Sequence, residues 1–373
     1  MKITHITTFA VQPRWLFVKI ETDEGIVGYG ECLGDKAYVI AEAVKSYEHA
    51  LIGEDPRRIT HLWQIMYRAP FWRGGPILNA AISGIEIALW DILGKSLGVP
   101  VWQLLGGAVR DRVRVYTHVG GKNLEELALN AKRLVSEGYT GMKFGPVDKL
   151  RHIDRLSVIE SAVARVQTVR EAIGTGVDFM LDFHGRVSPP MAVLLEEAFR
   201  PFHPLFIEEP VLPENPEAMA KIAPQFKTPI ATGERLFTKW GFREILEKGA
   251  ATVLQPDPCI CGGINETRQI AAMAETYYAS VAPHNPYGPI NFAACLQVDV
   301  TIPNFLIQEH LTIALGEGYL KEPILLKNGY VEVPTRPGIG YELDEEWIAA
   351  HPLGELQDVG RWFHEDDGSM ADW

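Results

Sequence analysis

The sequence predicts an α/β protein: a (β/α)8 TIM-like barrel with an α+β capping domain that is built from the N-terminus and the C-terminal tail. Beyond Asp111, a short apolar run followed by a helix-length amphipathic segment repeats until about residue 310, as expected of βα units. The residues before it lack this rhythm, and a chain of 373 residues exceeds what a single core usually supports. An open, doubly wound sheet is the rival prediction, because strand counts from one sequence are error-prone.

Residues 1–112 predict the capping domain. Three strand-like runs come first, ITHITTFAV, WLFVKIET and GIVGYGE, and Asp23-Glu24-Gly25 is typical of a hairpin turn between the last two. Apolar residues then recur at intervals of three and four, which predicts helices. These helices lie around residues 37–53, 57–67 and 77–96, and the last is followed by Gly98 and Pro100.

Residues 113–320 predict the barrel, in which helical segments such as 123–138 and 157–174 separate eight apolar runs. Eight such runs are the number of strands that a closed barrel of this class needs. The strand candidates are 112–119, 141–145, 178–184, 205–210, 229–234, 251–257, 280–284 and 305–310.

Residues 321–373 predict a C-terminal segment that returns to the capping domain. Its residues 329–343 have the pattern of a hairpin followed by a turn. Trp362 and Trp373 are large apolar side chains that would be unusual in a free tail. We therefore expect the tail to pack against the first domain.

The composition is typical of a soluble globular protein, with 47% hydrophobic and 22% charged residues. The formal net charge of -13 argues against nucleic acid or an anionic membrane as the main partner. An anionic substrate would have to be attracted by a local positive group or a bound cation. The N-terminus lacks a secretion signal, no run approaches about 18 apolar residues, and four cysteines are too few for a disulfide scaffold. We therefore expect a cytoplasmic protein with reduced thiols.

Carboxylates stand at the ends of three consecutive predicted strands. Asp182, Glu208 and Glu234 are each separated by 26 residues, and the C-terminal ends of barrel strands carry the chemistry of this fold. Converging carboxylates repel each other without a cation, and all-oxygen ligation suits a hard divalent ion such as Mg²⁺. The sequence therefore predicts a metal site, with ordinary rim salt bridges as the alternative.

Two histidines add candidate acid–base groups. His284 and Asp257 end neighbouring strands, and a carboxylate on one ring nitrogen makes the other nitrogen more basic; a structural hydrogen bond is the alternative. His184 lies two residues beyond Asp182, so that a continuous strand would place both side chains on one face. That proximity predicts either a structural pair or part of an active site.

Three further residues end strands 1 and 8. Glu309 is a candidate site carboxylate, with pairing to an arginine as the alternative. His118 is expected to form a wall of the pocket. His310 follows Glu309 directly and is expected to point away from it, because neighbouring residues of a strand face opposite sides.

The segments LDFHGRVS, PLFIEEPV, GERLF, LQPD and APHNPYGPI, with the N-terminal run MKITHITTFAVQPRWLFVKIETDEG, resemble the mandelate racemase subgroup of the enolase superfamily. The resemblance covers the whole chain and is closest to the galactonate dehydratase family. It implies Asp182, Glu208 and Glu234 as ligands of Mg²⁺, for which Mn²⁺ could substitute. It further implies His284 assisted by Asp257 as the base, His184 as the acid, Glu309 holding a proton or hydrogen bond against the substrate carboxylate, and dimers or octamers.

The resemblance implies a dehydratase that converts an aldonate, foremost D-galactonate, into a 2-keto-3-deoxy acid. A racemase, epimerase or cycloisomerase and a non-catalytic sugar-acid-binding barrel are the alternatives. Lys143-Phe144-Gly145 lacks the second lysine of the racemases, which argues against a two-base reaction. Lys143 and Gly145, with Asp35 in the capping loop, are the candidate substrate contacts.

Overall fold

The computed structural model describes residues 1–354 and 362–372. Its first sheet is antiparallel and consists of β1 (Ile3–Val11), β2 (Trp15–Thr22) and β3 (Val27–Cys32). Successive residues of a strand face opposite sides, and both sides of β2 are buried. Phe17 therefore packs in the cluster that continues into the barrel, whereas Leu16 packs under the helices of the same domain.

Five helices complete the N-terminal part of the capping domain. The fourth is long and apolar enough to cross a membrane by length and composition, but 78% of its most apolar window is buried inside the protein. It packs on β3 where two glycines meet: a Cβ on Gly30 would lie 1.8 Å from the carbonyl oxygen of Gly84. The helices are α1 (Ala37–Ser46), α2 (Glu48–Leu51), α3 (Ile59–Arg68), α4 (Gly75–Leu97) and α5 (Val101–Leu104).

Eight parallel strands form the barrel, as predicted. Seven pair in sequence order, the eighth pairs with the first, and a parallel bridge between Val281 and Phe305 closes the ring. The strands are β4 (Arg112–His118), β5 (Gly141–Phe144), β6 (Asp178–Asp182), β7 (Ile207–Glu208), β8 (Ile230–Thr232), β9 (Val253–Leu254), β10 (Ser280–Val281) and β11 (Gln308–Glu309).

Side chains fill the barrel interior, so it is a packed core. Tyr116, Met180, Phe206, Ala231, Val253, Ala282 and Ile307 form this cluster. The helices α6 (Leu124–Ser136), α7 (Leu156–Ile173), α8 (Pro189–Phe199), α9 (Pro216–Ile222), α10 (Thr238–Glu247), α11 (Pro258–Cys261), α12 (Ile264–Glu275) and α13 (Pro289–Asp299) lie between the strands along the chain.

The barrel differs from a complete set of eight βα units in one detail. Within the described residues, β11 is followed by a short 3-10 helix over Thr312–Leu315 and not directly by an α-helix. The chain then forms a hairpin of β12 (Leu326–Lys327) and β13 (Tyr330–Glu332), and β13 pairs antiparallel with β4. In the part of the chain that the structure describes, the last helix is α14 (Glu345–Ala350).

The C-terminal segment returns to the first sheet. Pro352 bridges to Val11, the Leu353 amide donates to the Ala10 carbonyl at 2.9 Å, and Glu345 pairs with Lys19 at 2.9 Å. The domain boundaries at residues 112 and 320 stay predictions.

The expectation for Trp362 was wrong, because its described contacts are with the barrel. The ring of Trp362 lies under the guanidinium of Arg186, 5.3 Å from its carbon, and 6.0 Å from Lys149 Nζ. Ion pairs of Arg151 with Asp366 and Asp367 hold this part of the tail on the barrel. Trp373 lies outside the described residues.

Candidate active site

Three carboxylates meet at the C-terminal ends of neighbouring barrel strands. Asp182 and Glu208 are the last residues of β6 and β7 and are direct partners in the register of the two strands. Glu234 follows two residues after β8. Parallel pairing therefore places the three side chains at one edge of the sheet, where Asp182 and Glu208 are buried and Glu234 is partly buried.

Lys143 supplies a positive charge within this group. It is almost fully buried, and its Nζ lies 3.1 Å from Asp182, 2.8 Å from Glu208 and 2.7 Å from Glu309. Burial lowers the pKa of Lys143, but Glu208 and Glu309 outweigh it and raise the pKa well above its usual range. Sequence analysis named Lys143 only as a substrate contact, and its role as counter-charge depends on a packing geometry that the sequence does not contain.

The donor atoms fit a hard divalent cation. Glu208 Oε1 is buried without a hydrogen-bond partner among the described residues. Burial and the nearby Asp182 raise the pKa of Glu208 to about 8, against the effect of Lys143, so a cation would relieve unfavourable charge. One potential ligand atom from each of Glu208, Glu234 and His284 lies within 4.8 Å of the others.

Asp182, the third predicted metal ligand, is not part of that three-atom group. Its Oδ2 lies 3.1 Å from Lys143 Nζ and 3.3 Å from His184 Nε2. The predicted set of Asp182, Glu208 and Glu234 stays a prediction, with all three side chains at the same strand ends.

His284 and Asp257 form the expected pair. His284 Nδ1 lies 2.7 Å from Asp257 Oδ2, and Nε2 lies 2.9 Å from Glu234 Oε2. Burial lowers the pKa of His284, but Glu309, Glu234 and Asp257 outweigh it and raise the pKa well above its usual range. These carboxylates therefore favour the protonated imidazole, and His284 can act as a base where their charge is offset.

His184 lies close to Asp182, but the predicted strand geometry was wrong. β6 ends at Asp182, and His184 has a φ of +49°, in the left-handed region that non-glycine residues rarely adopt. The turn brings His184 Nε2 within 3.3 Å of Asp182 Oδ2, and the His184 amide donates to Asp182 Oδ1 at 2.9 Å. Burial lowers the pKa of His184, and Asp182 opposes this effect.

Sequence analysis missed the pair that supports this turn. Glu209 also has a positive φ, +40°, and its carbonyl accepts a hydrogen bond from the Gly185 amide at 2.9 Å. Arg235 binds the Glu209 carboxylate with two nitrogens and donates to the His184 carbonyl at 3.0 Å. Such unusual backbone angles persist where surrounding contacts fix them. The sequence does contain a signal for this pair, because Glu209 and Arg235 directly follow the predicted metal ligands Glu208 and Glu234 at the ends of neighbouring predicted strands.

Glu309 is fully buried and contacts a lysine and a histidine, and not an arginine, in the described contacts. It contacts Lys143, lies 2.5 Å from His118 Nε2 and accepts the Asn285 amide at 3.0 Å. Burial would raise the pKa of Glu309, but Lys143 and His284 hold it well below its usual range. Lys143 and His284 therefore favour the ionised, hydrogen-bond-accepting form of Glu309, and its role against the substrate carboxylate stays a prediction. His118, expected only as pocket wall, contacts this carboxylate directly.

The remaining predicted residues lie around this centre. His310 points away from Glu309, as expected, and packs between Tyr139 and Phe292. Asp35 pairs with Arg14 at 2.9 Å and accepts a hydrogen bond from the Tyr287 hydroxyl at 3.2 Å. A Cβ on Gly145 would meet nothing closer than the Asp182 carbonyl oxygen at 3.6 Å, so a side chain would fit there.

The chain is similar in sequence and structure to known proteins. Residues 3–106 match the mandelate racemase / muconate lactonizing enzyme N-terminal domain, and residues 126–347 match the enolase C-terminal domain-like family. The chain is 45% identical over 382 residues to a D-galactonate dehydratase of Ralstonia nicotianae (strain ATCC BAA-1114 / GMI1000), and 46% over 384 residues to that of Ralstonia pickettii (strain 12J), with 100% of each chain covered. A solved enolase superfamily member from Salmonella Typhimurium is 36% identical, with a TM-score of 0.90 over 94% of this chain and 98% of that chain.

Proposed function

The chain belongs to the enolase superfamily, in its mandelate racemase and muconate lactonizing enzyme group, and from this we propose that it is a Mg²⁺-dependent sugar-acid dehydratase. As a hydro-lyase it removes the α-proton and the 3-hydroxyl of an aldonate and releases a 2-keto-3-deoxy acid. D-galactonate is the leading substrate, because full-length relatives at 45% identity are D-galactonate dehydratases.

The observation that carries the proposal is the orientation of His284. Asp257 occupies Nδ1 at 2.7 Å, so Nε2 is the ring atom that exchanges a proton at the carboxylate cluster. An imidazole whose other nitrogen is held by a carboxylate is a stronger and better oriented base. His284 accordingly removes the α-proton of the substrate at Nε2.

Asp182, Glu208 and Glu234 would hold the cation. A divalent ion supplies positive charge that offsets the second negative charge of the ene-diolate, without which an imidazole is too weak a base for an α-proton. Lys143, buried against the same carboxylates, adds a fixed positive charge beside the developing anion.

His184 protonates the leaving 3-hydroxyl, because hydroxide is a poor leaving group without an acid. Its turn beyond β6 places it beside Asp182 and on a different strand end from His284. Glu309 holds a proton or hydrogen bond against the substrate carboxylate as charge builds on it. Gly145 offers no second base, which favours dehydration over two-base racemisation.

A ketoacid assay tests the function. The protein is incubated with D-galactonate, gluconate and pentonates, with Mg²⁺, with Mn²⁺ or with EDTA. We expect ketoacid from at least one aldonate, loss with EDTA and recovery with either metal. Absence of ketoacid from the whole panel would contradict the proposal, and full activity in EDTA would contradict the metal dependence.

We further propose that the enzyme acts in the cytoplasm as a homo-oligomer, a dimer or an octamer. Its acidic net charge of -13 supports small-molecule chemistry without nucleic acid or an anionic membrane as partner. Light scattering of the purified protein gives the number of chains, and a mass of about 41.6 kDa would contradict the oligomer.

A further inference from the structure

Asn291 links the partners of two proposed catalytic groups. This buried residue lies in the first turn of α13 and donates its side-chain amide to Asp257 Oδ1 at 2.8 Å and to Asn285 Oδ1 at 3.0 Å. Asp257 holds His284 through its other oxygen, and the Asn285 backbone amide donates to Glu309. The side-chain amide of Asn291 therefore binds both Asp257, the partner of His284, and Asn285, the partner of Glu309.

A carboxylate of the capping domain fixes the helix that carries Asn291. Glu31, on β3, is fully buried and accepts the backbone amides of Gly288 at 2.6 Å and Asn291 at 2.8 Å. Gly288, at the N-cap position, has no side chain that could accept these amides, so the acceptor comes from outside the helix. A Cβ on Gly288 would lie 2.5 Å from Glu31 Oε1, so the glycine is required for this close approach.

We propose that Asn291 is a positioning residue for His284 and that Glu31 holds it in place, so that the capping domain orients the base of the barrel. The inference rests on the proposed function in that it takes His284 as the group that removes the α-proton. Neither residue contacts Asp182, Glu208 or Glu234 in the described hydrogen bonds and ion pairs. His284 itself lies 2.9 Å from Glu234, so Mg²⁺ affinity has to be measured together with kcat.

The physical reason lies in the bonds to Asp257. Its Oδ1 accepts from the Cys259 amide at 2.9 Å and from Asn291, and these two donors fix the carboxylate plane. The other oxygen of Asp257, Oδ2, is then held in one position, where it binds His284 Nδ1. Loss of the Asn291 donor lets the carboxylate turn and the imidazole follow. Partners of this kind typically change activity by about 10–100-fold.

Kinetics of four variants test the inference. Asn291→Asp keeps the volume but replaces the donor with an acceptor that faces Asp257, Asn291→Ala removes the group, and Glu31→Gln weakens the cap. Asn304→Ala is the matched control, because the Asn304 amide also donates two hydrogen bonds, to the carbonyls of Ala271 at 3.0 Å and Ala279 at 2.9 Å, before β11 at the other end of the barrel.

We expect kcat to fall about 10–100-fold in both Asn291 variants and less in Glu31→Gln, with KM and Mg²⁺ affinity within about threefold of the wild type. The control should lose stability and keep kcat. Equal kcat in the Asn291 variants and the wild type would overturn the inference, as would a loss of kcat explained by weaker Mg²⁺ binding.

Proton NMR without substrate gives a second readout. The proton between His284 Nδ1 and Asp257 should give a downfield signal that His284→Asn removes. We expect this signal to move or broaden in the Asn291 variants and in Glu31→Gln, and to stay in Asn304→Ala. No such signal in the wild type, or an unchanged one in both Asn291 variants, would overturn the inference. A wild type that forms no ketoacid would contradict the proposed function alone, because the NMR result still decides the positioning role.

Discussion

The two carboxylate oxygens of Glu208 differ in their hydrogen bonding. Oε2 contacts Lys143 at 2.8 Å, whereas Oε1 is buried without a hydrogen-bond partner among the described residues. An unpaired buried carboxylate oxygen is costly unless a cation or a proton satisfies it. This single atom is therefore the most direct structural argument for a metal at the strand ends.

We predict that Glu208→Gln lowers turnover at least 100-fold and weakens Mg²⁺ binding while the protein stays folded. The amide keeps nearly the same volume but removes a charge and a good ligand for a hard ion. Calorimetric titration with Mg²⁺ and the ketoacid assay measure the two effects. Glu247→Gln, which changes an exposed carboxylate paired with Arg243, is the control. Unchanged metal affinity in Glu208→Gln would show that it is a structural salt-bridge residue.

We predict that the two histidines can be separated by the leaving group. His184→Asn should stop dehydration but still exchange the α-proton in D₂O, because His284 is intact. A substrate with fluoride in place of the 3-hydroxyl needs little protonation to leave, so it should restore elimination to His184→Asn and not to His284→Asn. Equal failure of both variants with this analogue would mean that His184 is not a dedicated acid.

The sequence predicted the residues that end barrel strands because their position follows from the order of strands. It therefore brought Asp182, Glu208, Glu234, Asp257, His284 and Glu309 to one edge. It could not predict the contacts of Lys143 or His118 with Glu309, since these depend on side-chain packing across the barrel. His184 shows a third case, in which the proximity was right but arose from a turn with positive φ and not from strand alternation.

Helix α13 ends with an acidic side chain, Asp299, in a position that disfavours its negative charge. Asp299 is fully buried, and neither carboxylate oxygen has a hydrogen-bond partner among the described residues. Burial raises the pKa of Asp299 well above its usual range, and only Arg110 opposes this. A negative charge at this end also opposes the helix dipole. Ionisation of Asp299 is therefore disfavoured in the folded state.

We predict that Asp299→Asn stabilises the protein increasingly as pH rises. A carboxyl group whose pKa is raised on folding contributes stability that is complete below its unfolded pKa and is lost as pH rises through its folded pKa. Asparagine has no such loss. Melting temperatures from pH 5 to 9 should diverge in favour of the variant by a few degrees, and curves that stay parallel would contradict the prediction.

Strand and helix positions were the most predictable elements, because hydrophobic periodicity reports them directly. Among the described residues, the replacement of an α-helix directly after β11 by a 3-10 helix was not predictable from periodicity. The residues after β11 instead follow the 3-10 helix Thr312–Leu315 into the hairpin of β12 and β13, and β13 pairs with β4. The structure of this segment depends on pairing with a strand that is distant in the sequence. A local pattern of apolar residues carries no information about such pairing.

At the scale of the whole molecule, the capping domain and the barrel share their interior. Trp15 and Phe17 of β2 lie in the same buried cluster as Val113 and Val115 of β4. Glu86 of α4 accepts the amides of Ile264 and Asn265 at the start of α12, in the way that Glu31 does for α13. Backbone amides at the start of α12 and α13 would therefore lose their hydrogen-bond acceptors if the capping domain were absent.

We predict one cooperative unfolding transition for both parts. Gly30→Ala should lower the melting temperature of the entire protein, because the new Cβ would overlap the Gly84 carbonyl; overpacking of this kind costs about 1–3 kcal/mol. Gly176→Ala, with nothing within 4 Å of its Cβ, is the control. Calorimetry should show a single peak in each case, and a barrel peak that stays in place while another peak shifts would contradict the prediction.

The tie between Glu345 and the first sheet has a consequence for biosynthesis. Lys19 and Tyr29 are separated along the chain from their partner Glu345 by 326 and 316 residues, so they leave the ribosome long before it. Contacts across such sequence separation slow folding and leave incomplete intermediates exposed. A nascent chain that has already produced all eight barrel strands still lacks part of its capping domain, so the first sheet gains these contacts only after Glu345 has left the ribosome. A stop codon after residue 320 would therefore yield a chain prone to aggregation.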